Sequence, residues 1–267
     1  MSGKGTVLVT GGSGYIGGWC IVGLLNQGYT VRTTIRSLAR EAEVRAWLSK
    51  HADTTALTFH AADLMNDAGW DEAAAGCDYM LHVASPLGIA EKTAWDLIKA
   101  SDGKTTLATV NPALVLGPVM GKDFSDSLQV LERLLTGRVP GIPRLGFSIV
   151  DVRDVADLHI RAMTDPAAAG ERFIAATSWA WMSDLADILR ANLPAAAAAK
   201  VPTRKMPDIV MRLVGLMDRD LASAGDRLGK KADYTSAKAQ KLLGWAPRPV
   251  KDTVMETANS LIAEGVA

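Results

Sequence analysis

Short runs of apolar, β-branched residues recur along the first hundred positions at nearly even intervals. They start near Gly5 (GTVLVT), Thr30 (TVRTTI), Ala56 (ALTFH), Tyr79 (YMLHVA) and Lys104 (KTTLATV), 25, 26, 23 and 26 residues apart. Each interval has room for one helix. Over residues 14–27, Ile16, Cys20 and Leu24 fall on one stripe before Gly28, a residue type common just past a helix C-terminus. Strands alternating with helices at this spacing predict an α/β fold of Rossmann-like, doubly wound type. That fold has a parallel sheet, right-handed crossovers and a ligand crevice at the carboxyl ends of the strands.

The second half reads as a smaller lobe interleaved with the last part of the sheet. Residues 147–152 predict a strand feeding a helix to Met163, residues 172–176 another strand, and residues 183–192 a capped helix. Residues 207–217 are apolar at Ile209, Val210, Leu213, Val214 and Met217, a helical spacing that marks core or the wall of a substrate cleft. The alanine run at 195–199, set between Pro194 and Pro202, is expected to be a surface loop.

Composition narrows the partners. The chain has 267 residues, 48% of them apolar, enough for one α/β domain with a second lobe. Its 29 Lys and Arg balance 29 Asp and Glu, which gives no electrostatic pull toward nucleic acid or an anionic membrane. A small molecule is the expected partner. Cys20 and Cys77 lie far apart with no paired Cys/His spacing, against a disulfide framework or a metal site and in keeping with a reducing cytoplasm. No apolar run approaches a membrane span, and MSGKG leads into a strand, so the chain is expected to stay in the cytoplasm where it is made.

The first strand runs directly into Gly11-Gly12-Ser13-Gly14-Tyr15-Ile16-Gly17, which then opens the first helix. In that context backbone N–H groups and the positive helix end can face a pyrophosphate, and Gly11, Gly14 and Gly17 permit the tight turn and close approach. At the end of the second strand (TTIRS) an NAD site usually has an acid for the ribose 2′-OH. Here stands Arg36, suited to a 2′-phosphate, with Arg40 near enough to share the role, so NADP(H) is favoured over NAD. Asp63, ending the third strand, could accept the adenine amino group or simply cap the helix after that strand.

In order along the chain, TGGSGYIGGW, TTIRS, AADL, HVASP, NPALVLGP, DVRDVADLH and KAQKLLGWAPRP resemble the extended short-chain dehydrogenase/reductases (the NAD-dependent epimerase/dehydratase superfamily), on the branch of the dihydroflavonol and cinnamoyl-CoA reductases. The resemblance implies an oxidoreductase that reduces a ketone or aldehyde with NADPH, using a Ser, a Tyr and a Lys. It places Gly11, Ser13, Gly14, Tyr15, Ile16 and Gly17 on the pyrophosphate and Arg36 on the 2′-phosphate. Asp63 and Leu64 fall at adenine, Val83, Ala84 and Ser85 along the ribose, and Pro112, Val115 and Ser127 near the nicotinamide. It further implies a dinucleotide-binding domain over 1–118, completed by about 147–165, and a substrate lobe from 119–146 and 166–267. A homodimer is an open expectation.

The catalytic segment departs from the family. There, an HVASP-like strand end is followed by a helix, a strand ending in the catalytic serine, and a helix opening Tyr-x-x-x-Lys. Here only Leu87-Gly88-Ile89-Ala90 separate Pro86 from Glu91, and EKTAWD resembles the stretch just past the catalytic lysine. Counting back from Glu91 at family spacing puts Val83 at the tyrosine position and Leu87 at the lysine position. The shortened connection near residue 90 is still expected to let the fourth strand, the helix from Glu91 and the strand near Thr105 form one right-handed unit in a closed sheet.

One Tyr-x-x-x-Lys does occur, Tyr234 to Lys238. Catalytic pairs project from one helix face, a turn apart, whereas Thr235 or Ser236 is placed to cap a helix ending at Gly244, which leaves Tyr234 outside it. The pair is therefore read as structural. Tyr15, Tyr29 and Tyr79 are read likewise, His82 as a satisfied strand histidine, and Asp151 and Asp154 as helix caps beside Arg153. Two functions remain: an NADPH-dependent carbonyl reductase of impaired competence, or a protein that binds the nucleotide without turnover, as sensor or interaction module.

Overall fold

In β1 (Thr6–Val9), Val7, Leu8 and Val9 have no exposed surface, the unbroken apolar run that a strand covered on both faces requires. The computed structural model describes residues 4–84, 90–121, 125–139, 141–215, 225–232 and 234–267. After β1 come α1 (Tyr15–Asn26), β2 (Thr30–Ile35), α2 (Glu41–Leu48), β3 (Leu57–Ala61), α3 (Trp70–Ala74) and β4 (Tyr79–Leu81). The four strands pair in parallel in the order β3-β2-β1-β4, with Val7 opposite both Val31 and Tyr79. This is the Rossmann-like α/β architecture that the spacing predicts, and it brings the carboxyl ends of all four strands to one side.

The sheet does not close as expected. After α4 (Ala90–Ala100), β5 (Thr109–Pro112) starts later than the apolar run at Lys104 suggested. It pairs with β8 (Arg172–Ala175) rather than with β4. A third ladder joins β6 (Leu114–Leu116) in parallel to β7 (Gly146–Asp151), and β7 antiparallel to β9 (Ser178–Trp181). The family pattern supplies a physical reason. The strand that the family pattern sets between HVASP and the EKTAWD helix is the one that would have bridged β4 and β5. Without it, no strand pairs with the outer edge of β4 among the described residues.

What joins the ladders is helix packing. The α6 helix (Val152–Thr164) lies against α1, and both bury apolar faces in a first core with Val7, Val31, Leu81, Val150 and Phe173. A second core gathers α5 (Gln129–Leu135), α7 (Met182–Asn192) and α11 (Val250–Ala263) around Leu116 and Ile149. The alanine run forms a single helical turn, α8 (Ala195–Ala198), instead of the expected loop. Alanine's helix propensity, starting just after Pro194, outweighs the flanking prolines. The apolar stretch from Pro207 forms α9 (Asp208–Gly215), with Met211 buried and Ile209 and Val210 exposed; Met217 lies outside the described residues. Helix α10 (Ala237–Leu243) follows an N-cap at Ser236 and ends at Gly244, as the sequence suggested.

Helix α4 buries none of its described side chains and is tied down mainly by Glu91. Its Oε1 accepts from Arg172 Nε at 2.8 Å, Thr109 Oγ1 at 2.8 Å and Trp95 Nε1 at 3.4 Å. Slight burial would raise the Glu91 pKa, but the donors, Arg172 foremost, overcome it and hold the carboxyl below its ordinary value. A depressed acid stabilises the fold above its ordinary pKa and loses that contribution as pH falls through the lower folded value. Glu91→Gln is therefore expected to melt below wild type near pH 7, with the difference closing below about pH 4. Calorimetric scans across that range check it, and a difference that persisted at low pH would show that charge is not what holds α4.

Candidate nucleotide site

The turn after β1 is shaped by what cannot fit in it. Gly11 has φ of +71°, and a Cβ there would lie 2.7 Å from the Ala84 methyl. A Cβ on Gly17 would lie 2.4 Å from the Gly11 carbonyl oxygen, so helix α1 can start this close to the turn only with glycine at that position. The turn is fastened by Gly14 N–H to Gly11 O at 2.9 Å, Gly12 N–H to Thr34 O at 3.0 Å and Gly11 N–H to Thr34 Oγ1 at 3.2 Å.

Helix α1 begins at Tyr15 with Gly14 as N-cap. No side chain caps it and no acid stands in its first turn. Among the described residues no side chain competes for its leading N–H groups and positive end, an arrangement that suits a phosphate. A recess lined by Gly12, Ser13, Gly14, Tyr15, Trp47 and Met120 adjoins the turn.

The strand ends place the remaining residues of the proposed adenosine half. Arg36, just past β2, is exposed and makes no hydrogen bond or ion pair among the described residues. Arg40 is already engaged, with Nε 3.0 Å from Glu43 and the guanidinium over the Trp47 ring, which leaves Arg36 as the available cation. Asp63 Oδ1 accepts from Met65 N–H at 3.0 Å in a local turn and does not cap the next helix, α3, whose N-cap is Gly69; Leu64 is exposed beside it. Val83 and Ala84 leave β4 next to Gly11, whereas Ser85 and Leu87 lie outside the described residues.

The residues expected near the nicotinamide are not drawn to β4 by strand pairing. Pro112 is exposed at the end of β5, Val115 is buried in the first core from β6, and the Ser127 hydroxyl pairs with Ser125 Oγ at 3.3 Å. No phenol is held at this face either. The Tyr15 hydroxyl is buried without a hydrogen-bond partner among the described residues. Burial first, and then the charge of Asp151, raise its pKa well above the ordinary value. Tyr234 is exposed and precedes α10, and Lys238 Nζ is paired with Glu171 at 2.6 Å. Asp151 accepts from Arg153 N–H at 2.9 Å as the N-cap of α6, and Asp154 accepts from Arg248 N–H at 2.7 Å, both in structural roles.

Sequence reasoning passed over Thr10. It is fully buried at the end of β1, and its Oγ1 accepts from the N–H groups of Val83 and Ala84, each at 3.1 Å. The signal was there, a threonine immediately before the glycine turn, but a hydroxyl clasping a neighbouring strand leaves no mark on periodicity. Among the described residues no group of His, Cys, Asp and Glu could hold a metal ion, and no helix is long and apolar enough to cross a membrane.

Comparison with known proteins fits this geometry. The NAD dependent epimerase/dehydratase family matches residues 7–99. Cinnamoyl-CoA reductase 2 of Arabidopsis thaliana is 24% identical over 334 aligned positions, covering 97% of this chain and 93% of that protein. That alignment is longer than the 267 residues of the chain, so at least 67 of its positions have no residue here. Dihydroflavonol 4-reductase of Zea mays is 25% identical over 72% of this chain and 75% of its own length. A bifunctional dihydroflavonol 4-reductase/flavanone 4-reductase of Malus domestica reaches 41%, but over 33% of the chain, which spans about a quarter of that relative. Among solved structures, the yeast methylglyoxal/isovaleraldehyde reductase Gre2 complexed with NADPH superposes with a TM-score of 0.72 at 19% identity, covering 98% of this chain and 100% of that one. Vestitone reductase from alfalfa gives 0.68 at 20%, over 99% and 100%. The phosphate turn, the parallel sheet and these relatives agree: residues 7–99 match the NAD dependent epimerase/dehydratase family, and the chain is similar along most of its length to reductases described as dihydroflavonol and cinnamoyl-CoA reductases.

Proposed function

We propose that this chain binds NADP(H) and derives from reductases of ketones and aldehydes, holding the nucleotide without efficient hydride transfer. The observation that carries the reading is the uncapped start of α1 behind the glycine turn, with Arg36 unpaired at the neighbouring strand end among the described residues. These groups suit a pyrophosphate and a 2′-phosphate, whereas an NAD site would want an acid where Arg36 stands. NADPH, when bound, supplies a hydride. The chain's own contribution is to seat the phosphates on the Gly11–Gly17 turn and the ribose along Val83 and Ala84. A small carbonyl or alcohol is the expected substrate class, met by a lobe built from 119–146 and 166–267 around the second core. Both cysteines are free, in keeping with a cytoplasmic protein.

A competent carbonyl reductase is the second reading, favoured by the relatives' names. Against it stands Val83 at the tyrosine position. Calorimetric titration is expected to give tighter binding of NADPH than of NADH. Arg36→Ala is expected to remove about 1.5–3 kcal/mol of that preference, the worth of a hydrogen bond to a charged group. Equal affinities, unchanged in the variant, would defeat the NADP assignment, and no binding of either nucleotide would defeat the function itself.

A further inference from the structure

The Thr10 hydroxyl has three neighbours. Val83 N–H and Ala84 N–H each reach it at 3.1 Å, and His82 Nδ1 lies 3.2 Å away. A hydroxyl oxygen has two lone pairs and one proton. Both amides face the oxygen, Val83 N–H sharing its hydrogen with Leu81 O at 3.1 Å, which directs the hydroxyl proton to His82 Nδ1 as the acceptor. That fixes the imidazole as the neutral tautomer with its hydrogen on Nε2. The ring keeps part of its surface in water, yet desolvation lowers its pKa and disfavours the imidazolium that would break this bond.

The clasp matters because of where it holds the chain. Ala84 lies so near Gly11 that a single methyl there would come within 2.7 Å of its own. The distance from the end of β4 to the phosphate turn is thus set by backbone packing on one side and by Thr10 on the other. Without His82 the proton of this buried hydroxyl has no acceptor, and the orientation that offers the oxygen to both amides is no longer fixed.

We propose that His82 is a positioning residue for the nucleotide site: by accepting the Thr10 proton it locks Thr10 as a double acceptor and so holds Val83 and Ala84 against the glycine turn. The proposal rests on the nucleotide reading above, and it assigns His82 a role beyond the satisfied strand histidine that the sequence suggests.

The test uses three variants of the full chain. Asparagine places its amide oxygen where Nδ1 stands, glutamine reaches only the Nε2 position, and alanine removes both. His82→Ala and His82→Gln are expected to weaken NADPH binding by roughly 5- to 30-fold, the loss of the acceptor for a buried hydroxyl, and His82→Asn to restore most of it. Exchange of the Val83 and Ala84 amide hydrogens, followed by NMR without nucleotide, is expected to quicken about tenfold in the alanine and glutamine variants and stay near wild type in the asparagine variant. Wild-type affinity in His82→Ala, or equal losses in the asparagine and glutamine variants, would overturn the proposal. If wild-type protein bound no NADPH, the nucleotide reading would fail, and the exchange rates would still decide whether His82 governs the clasp.

Discussion

Purified protein given NADPH and an aromatic or aliphatic aldehyde is expected to consume the nucleotide about 10²- to 10⁴-fold more slowly than a family member that has its tyrosine and lysine, the usual contribution of a placed general acid. Hydride arriving at a carbonyl carbon leaves alkoxide charge, which needs a proton donor within hydrogen-bonding reach. Counting back from Glu91 at family spacing puts Val83 at the tyrosine position, and it is partly buried against the first core. The alternatives are poorly placed: Tyr15 has its hydroxyl inside the protein, Tyr29 is buried ahead of β2, and Tyr79 opens β4 at the end away from the crevice. Tyr234→Phe is accordingly expected to leave any residual rate unchanged, as its lysine neighbour is committed to Glu171. Brisk turnover that falls a hundredfold in that variant, with NADPH affinity intact, would make Tyr234 and Lys238 the catalytic pair and would require the smaller lobe to fold over the nicotinamide.

The second large effect concerns stability. Asp151 has no exposed surface, and its carboxylate receives Arg153 Nε at 2.9 Å and Nη2 at 2.7 Å besides the backbone N–H of the same residue. Arg153 also reaches Glu256 on α11, so the cluster ties β7 and α6 to the second core. Burial alone would lower the Arg153 pKa, but these two carboxylates raise it above its ordinary value. Asp151→Ala leaves a half-buried guanidinium without its main partner and removes the α6 cap, a loss of about 3–5 kcal/mol. In a chain of this size that lowers Tm on the order of 10 °C. Glu256→Gln removes a partner that is 46% exposed and is expected to cost under about 1 kcal/mol. Thermal melts of the two variants check the contrast, and similar small losses would place the strength of the junction in apolar packing instead.

Legibility in the sequence followed the range of the forces involved. The β1-turn-α1 unit was readable because its signals are local: β-branched residues, glycines at fixed offsets and a helical stripe. The cap and stop of α10 at Ser236 and Gly244 were readable for the same reason. Arg36 was legible as the favoured cation from its place at the strand end, whereas the engagement of Arg40 by Glu43 and Trp47 is a tertiary contact that the sequence does not show. The pairing of β5 was misjudged because periodicity reports that a strand exists, not which edge it joins. The partner of β5 is β8, some sixty residues away, chosen by α6 packing beneath both. The role of Thr10 was not legible, although its place before the glycine turn was, because one hydroxyl clasping two amides is a tertiary contact with no sequence period.

The outer edge of β4, which no strand covers among the described residues, has a consequence for the protein as a material. Sheet edges ordinarily recruit further strands, and proteins guard them by brevity, charge or cover. In β4, Met80 is 50% exposed and Tyr79 37%, so charge does not guard it. Brevity does, because the strand spans three residues and can offer an incoming chain only a few hydrogen bonds. Lengthening β4 with β-branched residues after Leu81 is therefore expected to make this edge an aggregation template, whereas a strand of three residues gives an incoming chain little to pair with.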